Sequence, residues 1–268
     1  MSKNNDDNTN GISFLDPFGK STGAEQFFKH NQLEELQTIV KACINQKALA
    51  SITGPPGVGK TTALRSVTDE LPSHKYSVVY LGQDQNGTNL LRRFAASLGV
   101  QPKRHRPNLA MQISQWLLDN LSGGGKEICL IVDEAHLLED STLEELRLMT
   151  NADYDRQSPL TLILMGQPGL RHRLKAPNFD ALWQRLRYRY CLEGLDQDET
   201  IRYIQLRLTA AGLSPELFNN EALLLIFQIS EGVLRRINNL CSLVLLKAKA
   251  KKRTTIDAAL VKEIAELD

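Results

Sequence analysis

Nothing in this sequence reads as a membrane span, a secretion leader or a disulfide framework. No apolar run approaches the roughly 18–20 residues that a bilayer-crossing helix needs. The first ten residues are polar and acidic, with neither a basic start nor an apolar stretch, so a signal peptide is not expected. The four cysteines, Cys43, Cys129, Cys191 and Cys241, are scattered and form no CxxC pair. Each lies in an apolar stretch, which reads as buried free thiols in a reducing compartment. These absences lead to the expectation of a cytoplasmic protein without a membrane partner. Aromatic residues are scarce at 6%, which argues against a stacking platform for single-stranded nucleic acid. A surplus of one charge sign is also missing: 32 Lys and Arg stand against 31 Asp and Glu. Global charge therefore announces no nucleic-acid partner, and only a local cluster could.

What is present is a chain of 268 residues, 42% hydrophobic, long enough for one large domain and a smaller one. Residues 1–12 have almost nothing to bury and read as a disordered tail. Apolar spacings of three and four predict a helix over 27–46. Short apolar runs predict strands at 48–53, 76–81, 128–132 and 160–165, with a fifth at 187–192. Helical patterns at 61–70, 89–98, 113–121 and 142–149 fall between them. Strands alternating with helices imply an α/β domain with a parallel five-stranded sheet over 13–195. After Leu195 the strand signals stop. Helices at 196–211, 220–229, 233–249 and 257–267 imply a small all-helical domain over 196–268.

One segment carries a specific chemical signal. Gly54-Pro55-Pro56-Gly57-Val58-Gly59-Lys60-Thr61 matches the phosphate-loop pattern GxxxxGK[ST] in full. It lies between a predicted strand and a predicted helix, with Thr62 following it. Glycines let the backbone curl so that N–H groups point at phosphate oxygens, and the next helix aims its positive end at the same charge. Lys60 is expected at the β- and γ-phosphates and the Thr61 hydroxyl on Mg2+. The run Ile128-Cys129-Leu130-Ile131-Val132-Asp133-Glu134 supplies carboxylates at the end of a buried strand, where ligands bind in open α/β sheets. Asp133 is the candidate metal-side carboxylate and Glu134 the candidate base for an attacking water. Asp133-Glu134-Ala135-His136 also spells the DEAH tetrad of one helicase class. Such helicases need a second α/β half, for which the chain has no room, so His136 is read as a structural or local contact residue.

The run from Asp133 to Leu138, then Leu143-Glu144-Glu145-Leu146-Arg147-Leu148 with Asn151, then Leu164-Met165-Gly166-Gln167-Pro168-Gly169-Leu170, resembles the AAA+ ATPases of the ExeA type. It is also similar to the transposition ATPases TnsC, TniB and MuB. The resemblance extends from about residue 27 to the C-terminus. It implies an AAA+ ATPase core followed by a helical lid, with ATP and Mg2+ as cofactors. A guanine-reading NKxD motif is missing, in agreement. By position, the resemblance makes Gln167 the first sensor and Arg185 the arginine finger that enters a neighbouring subunit's site, with Arg187 and Arg189 as nearby alternatives. Arg235, in Gly232-Val233-Leu234-Arg235-Arg236-Ile237-Asn238, becomes the lid arginine. Leu234 stands where the family has proline, so Arg236 stays open as a second candidate. An arginine acting in trans implies self-assembly as a ring or helical filament.

Two basic clusters bear on the output. Lys103, Arg104 and Arg106, around His105, are expected in a loop that contacts double-stranded DNA through phosphates; a solvated surface loop accounts for them equally. Lys247, Lys249, Lys251, Lys252 and Arg253 end a helix, where positive charge favours the helix dipole. The resemblance, with the chain stopping just past the lid, leads to the expectation of a transposition helper. It would select target DNA and stimulate a transposase, assembled with ATP and disassembled by hydrolysis. The alternative is an ATPase of a secretion or envelope-assembly pathway that acts on protein partners without DNA.

Overall fold

A computed structural model describes residues 16–19, 28–82, 87–151 and 158–266. The chain divides into two compact units. One is Lys29–Glu193; the other joins Gly194–Asp268 to Met1–Phe28.

The first unit is built on five parallel strands in the order β2-β3-β4-β1-β5: β1 (Leu49–Thr53), β2 (Tyr76–Leu81), β3 (Glu127–Val132), β4 (Leu160–Gly166) and β5 (Leu186–Cys191). β1, β3 and β4, buried almost without interruption, occupy the centre of the sheet, where both faces are covered. β2 and β5 lie at the edges, and their burial is interrupted accordingly. Side chains alternate between faces with period two. Ile128, Leu130 and Val132 of β3 join Leu160, Leu162 and Leu164 of β4 on one face. Cys129, Ile131, Ile163 and Met165 point to the other.

Helices cover both faces with their apolar stripes. α1 (Asn31–Asn45) and α2 (Lys60–Thr68) pack Leu36, Val40, Cys43, Leu64 and Val67 against the second face. α3 (Gly87–Ser97), α4 (Arg106–Ser122), α5 (Asp140–Met149), α6 (Pro168–Leu174) and α7 (Asp180–Arg185) cover the first with Phe94, Ile113, Leu146, Leu170 and Leu182 among others. Two of these helices, α6 and α7, are too short for a periodic pattern to announce them. α4 starts at Arg106, seven residues before the expected position, because Pro107 sits in the first turn, where its missing N–H costs no hydrogen bond.

The second unit packs α8 (Gln197–Ala210), α9 (Asn220–Ser230), α10 (Leu234–Ala250) and α11 (Ala258–Ala265) around one apolar cluster that includes Ile204, Leu223, Ile226, Cys241 and Val261. Side-chain caps mark the starts of α8, α9 and α11. Asp196 and Glu199 form a reciprocal capping box at α8. Asn219 accepts from the Ala222 N–H, and Asp257 from the Leu260 N–H. The expected division places residues from 13 onward with the α/β domain, yet Phe18 and Phe28 join the helical cluster. The buried Arg207 explains it: its guanidinium donates to the carbonyls of Pro17 (2.6 Å) and Gly19 (3.2 Å) and lies over the Phe18 ring. Residues 1–12 lie outside the described residues. Among the described residues no helix is long and apolar enough to cross a membrane.

Candidate functional site

The site is assembled at the C-terminal edge of the sheet. Strand order brings its parts together, because β4 lies between β1, which feeds the phosphate loop, and β3, which carries the carboxylates. The loop after β1 turns sharply. Gly57 and Gly59 have φ of 83° and 108°, values that residues with a Cβ adopt only at a cost. Gly54 is required for a different reason: a Cβ there would stand 2.3 Å from the Leu192 carbonyl oxygen at the end of β5. Val58 is buried and anchors the loop, and Pro55 and Pro56 carry it over the top. Lys60 opens α2 and is 8% exposed. Its Nζ donates to the carbonyls of Gly54 (2.8 Å) and Pro55 (2.9 Å). The ammonium is thus drawn across the mouth of its own loop, beside the backbone that anionic oxygens would meet. Thr61 and Thr62 follow in the first helical turn, Thr62 facing solvent.

Asp133 leaves β3 half-buried. Its Oδ1 accepts the Glu134 N–H at 2.8 Å. Its Oδ2 accepts the Thr61 hydroxyl at 3.2 Å and also the Tyr80 hydroxyl. Burial first and the Asp133 carboxylate next push the Tyr80 phenol up to about 12, so it is a protonated donor throughout the neutral range. Tyr80 is the site residue that sequence reading missed; its only signal was its place at the end of a strand beside the one that carries Asp133. Glu134 has φ 52° and ψ 33°, a left-handed conformation that strains a residue with a side chain and gathers at functional sites. The turn places its carboxylate 3.2 Å from His136 Nδ1, though the angle makes no hydrogen bond. A short 3-10 turn, Ala135–Leu137, holds this geometry. Arg173 of α6 fastens the turn by donating to the His136 carbonyl (3.1 Å) while pairing with Asp140.

The oxygens of Thr61 and Asp133 form a hard pair suited to Mg2+. Among the described residues no group of three or more His, Cys, Asp and Glu is placed to hold a metal ion.

Gln167 follows β4 and precedes α6, half-buried, between the phosphate loop and Asp133 along the sheet edge. Arg185, at the end of α7, is half-buried and donates to the Thr150 carbonyl of its own chain at 3.4 Å. Arg187 and Arg189 on β5 are exposed, and Arg189 lies over the Trp183 ring at 4.6 Å. In the helical unit, Arg235 is exposed in the first turn of α10, and Arg236 pairs with Glu231 at 3.0 Å.

Lys103 and Arg104 are exposed on the segment before α4. That segment is pinned from behind: the Lys103 N–H donates to Gln112 Oε1, Gln112 donates to the Gln101 carbonyl, and Arg92 donates to the Arg104 carbonyl. Arg106 departs from the expected loop cation. Its guanidinium is taken up by Glu145 (3.1 Å), Glu139 (3.1 Å), Ser141 (3.1 Å) and Thr142 (2.7 Å), where it ties α4 to α5. In the C-terminal cluster, Lys247 and Lys251 share Glu263 and Arg253 pairs with Asp257, so much of its charge is answered locally.

Comparison with known proteins agrees with this geometry. The family model of the AAA domain matches residues 42–174. General secretion pathway protein A of Aeromonas hydrophila is 33% identical over 203 residues, which are 75% of this chain but 37% of that longer protein. Among solved structures, the ORC2 protein of Aeropyrum pernix, described in ADPNP–ADP complexes, superposes with a TM-score of 0.65 at 16% identity, over 94% of this chain and 71% of its own. The ORC1 protein of the same organism, solved in complex with DNA, gives 0.62 at 16% identity, over 88% and 64%. The fold, the phosphate loop and the family match converge: this chain carries an AAA-family ATPase domain, an ATP hydrolase module homologous to general secretion pathway protein A.

Proposed function

We propose that the protein binds Mg-ATP at residues 54–62 with Asp133, assembles with further copies of itself on double-stranded DNA, and is released when the ATP is hydrolysed. The observation that carries the nucleotide part is the Thr61–Asp133 contact at 3.2 Å, beside a phosphate loop whose glycines hold left-handed backbone. Thr61 and Asp133 would hold the metal ion, which would supply positive charge against the phosphate oxygens. The chain's own groups do the rest. Backbone N–H groups of the loop and the start of α2 bind the phosphates. Lys60 exchanges its two carbonyl partners for phosphate oxygens. Glu134 polarises the attacking water, and Gln167 orients it. An arginine from a neighbouring copy, Arg185 or one of its β5 neighbours, completes the charge neutralisation.

The DNA part is supported by Lys103 and Arg104, two exposed cations on a pinned segment, which suit phosphate contacts that position without reading sequence. Arg106, engaged by Glu139 and Glu145, takes no part. Within this reading the role is that of a transposition helper in the cytoplasm, which selects target DNA and stimulates a transposase. A second reading has its own observation, the 33% identity to general secretion pathway protein A: an ATPase of a secretion or envelope-assembly pathway that acts on protein partners.

Fluorescence anisotropy on duplex DNA, with a non-hydrolysable ATP analogue, ADP or no nucleotide, separates the two. Tight binding with the analogue that is lost in ADP and weakens with salt supports the DNA reading. Binding that ignores nucleotide, or none in any state, contradicts it and leaves the protein-directed reading.

A further inference from the structure

We propose that Tyr80 is a positioning residue for Asp133, setting the carboxylate's orientation toward the metal of the nucleotide. The inference rests on the Mg-ATP reading above and deepens it.

An aspartate carboxylate turns easily about its last torsion, so its orientation is set by what its oxygens touch. Oδ1 is fixed by the Glu134 N–H. Oδ2 has two hydroxyl donors, Thr61 and Tyr80. The Thr61 oxygen is itself read as a metal ligand, so its hydroxyl serves two partners. Tyr80 is the donor to Oδ2 that is not itself read as a metal ligand, and its hydroxyl also lies within hydrogen-bonding reach of Thr61. The sheet dictates its reach. Val79 and Leu81 bury themselves in the core on one face of β2, which sends Tyr80 to the opposite face, the side on which α2 packs and Thr61 stands.

The phenol ring is braced as well. A Cβ at Gly82 would lie 3.2 Å from Tyr80 Cε1, so the ring rests against the Gly82 backbone. The Gly82 carbonyl in turn accepts from Arg93 Nη1 at 3.1 Å. The line from Arg93 through Gly82 and Tyr80 thus ends on Oδ2 of Asp133, the oxygen that also meets Thr61. Partners of this kind, one step removed from a metal, typically alter its affinity by about 10–100-fold when lost.

The test measures the affinity of the full chain for a fluorescent non-hydrolysable ATP analogue in EDTA and over a series of free Mg2+ concentrations. Tyr80 is 44% exposed, so Tyr80→Phe keeps the fold. It is expected to raise the Mg2+ concentration for half-maximal tightening about tenfold and to leave the affinity in EDTA unchanged. Gly82→Ala, which crowds the ring, is expected to shift the Mg2+ dependence in the same direction. A Tyr80→Phe protein with the wild-type Mg2+ dependence overturns the inference while the Mg-ATP reading stands. A wild-type protein that binds the analogue equally with and without Mg2+ removes that reading and this inference with it.

Discussion

Asp133, Glu134 and Lys60 show how far single residues can be read from a chain. Their types and spacing announced a phosphate site, because few arrangements other than a glycine-rich turn ending in Lys-Thr present so many N–H groups to an anion. Spacing did not announce Tyr80. Its contact with Asp133 crosses from β2 to β3, and register between strands is a property of the sheet. The cysteines give a residue-scale prediction. Burial pushes the Cys43 and Cys129 thiols up to about 12, with the neighbouring Cys129 adding to the effect at Cys43, and burial raises Cys241 as well. Thiolate, the reactive form, is therefore scarce at all three below that range. In the native protein at pH 8, iodoacetamide is expected to label Cys191, which is half-buried, and to spare the other three; mass mapping of labelled peptides reads the outcome. The sign also fixes a pH window for stability. With folded values above the unfolded value near 8.5, the contribution is whole below that pH and is lost as pH climbs toward 12.

Elements follow the sequence where their patterns are long. β2 spans the expected residues, and α8 begins one residue after Asp196, because a capping box is a local, self-contained signal. Asp196→Ala is expected to destabilise the helical unit by about 1 kcal/mol, seen as a lowered urea midpoint with an unchanged slope. Indifference would mean that packing alone sets that helix end. Elements went unread where a tertiary contact decided. Arg106 looked like a loop cation because its partners lie more than thirty residues later in the chain, on α5 and just ahead of it. Removing it strands the half-buried Glu145 and the buried Thr142, so Arg106→Ala is expected to cost about 1–3 kcal/mol in thermal or urea unfolding. A variant that keeps full stability yet loses DNA binding would show that the guanidinium serves DNA instead.

At the scale of the whole molecule, two units with separate cores share a chain of nearly balanced charge. Attraction to a polyanion therefore has to come from a few exposed cations. Each phosphate contact contributes about 0.9 to the slope of log affinity against log salt, so a Lys103→Ala/Arg104→Ala double variant is expected to flatten that slope by about 2 and to hydrolyse ATP without DNA as the wild type does. An unchanged slope would place any DNA contact elsewhere. Hydrolysis at the sheet edge is the premise for all of this. Steady-state phosphate release and nucleotide affinity, measured side by side for wild type and Glu134→Gln, test it most directly. Glu134→Gln is expected to keep its affinity for ATP while turnover falls at least about 100-fold, the usual scale for loss of a general base. A variant that turns over ATP at the wild-type rate would contradict that premise.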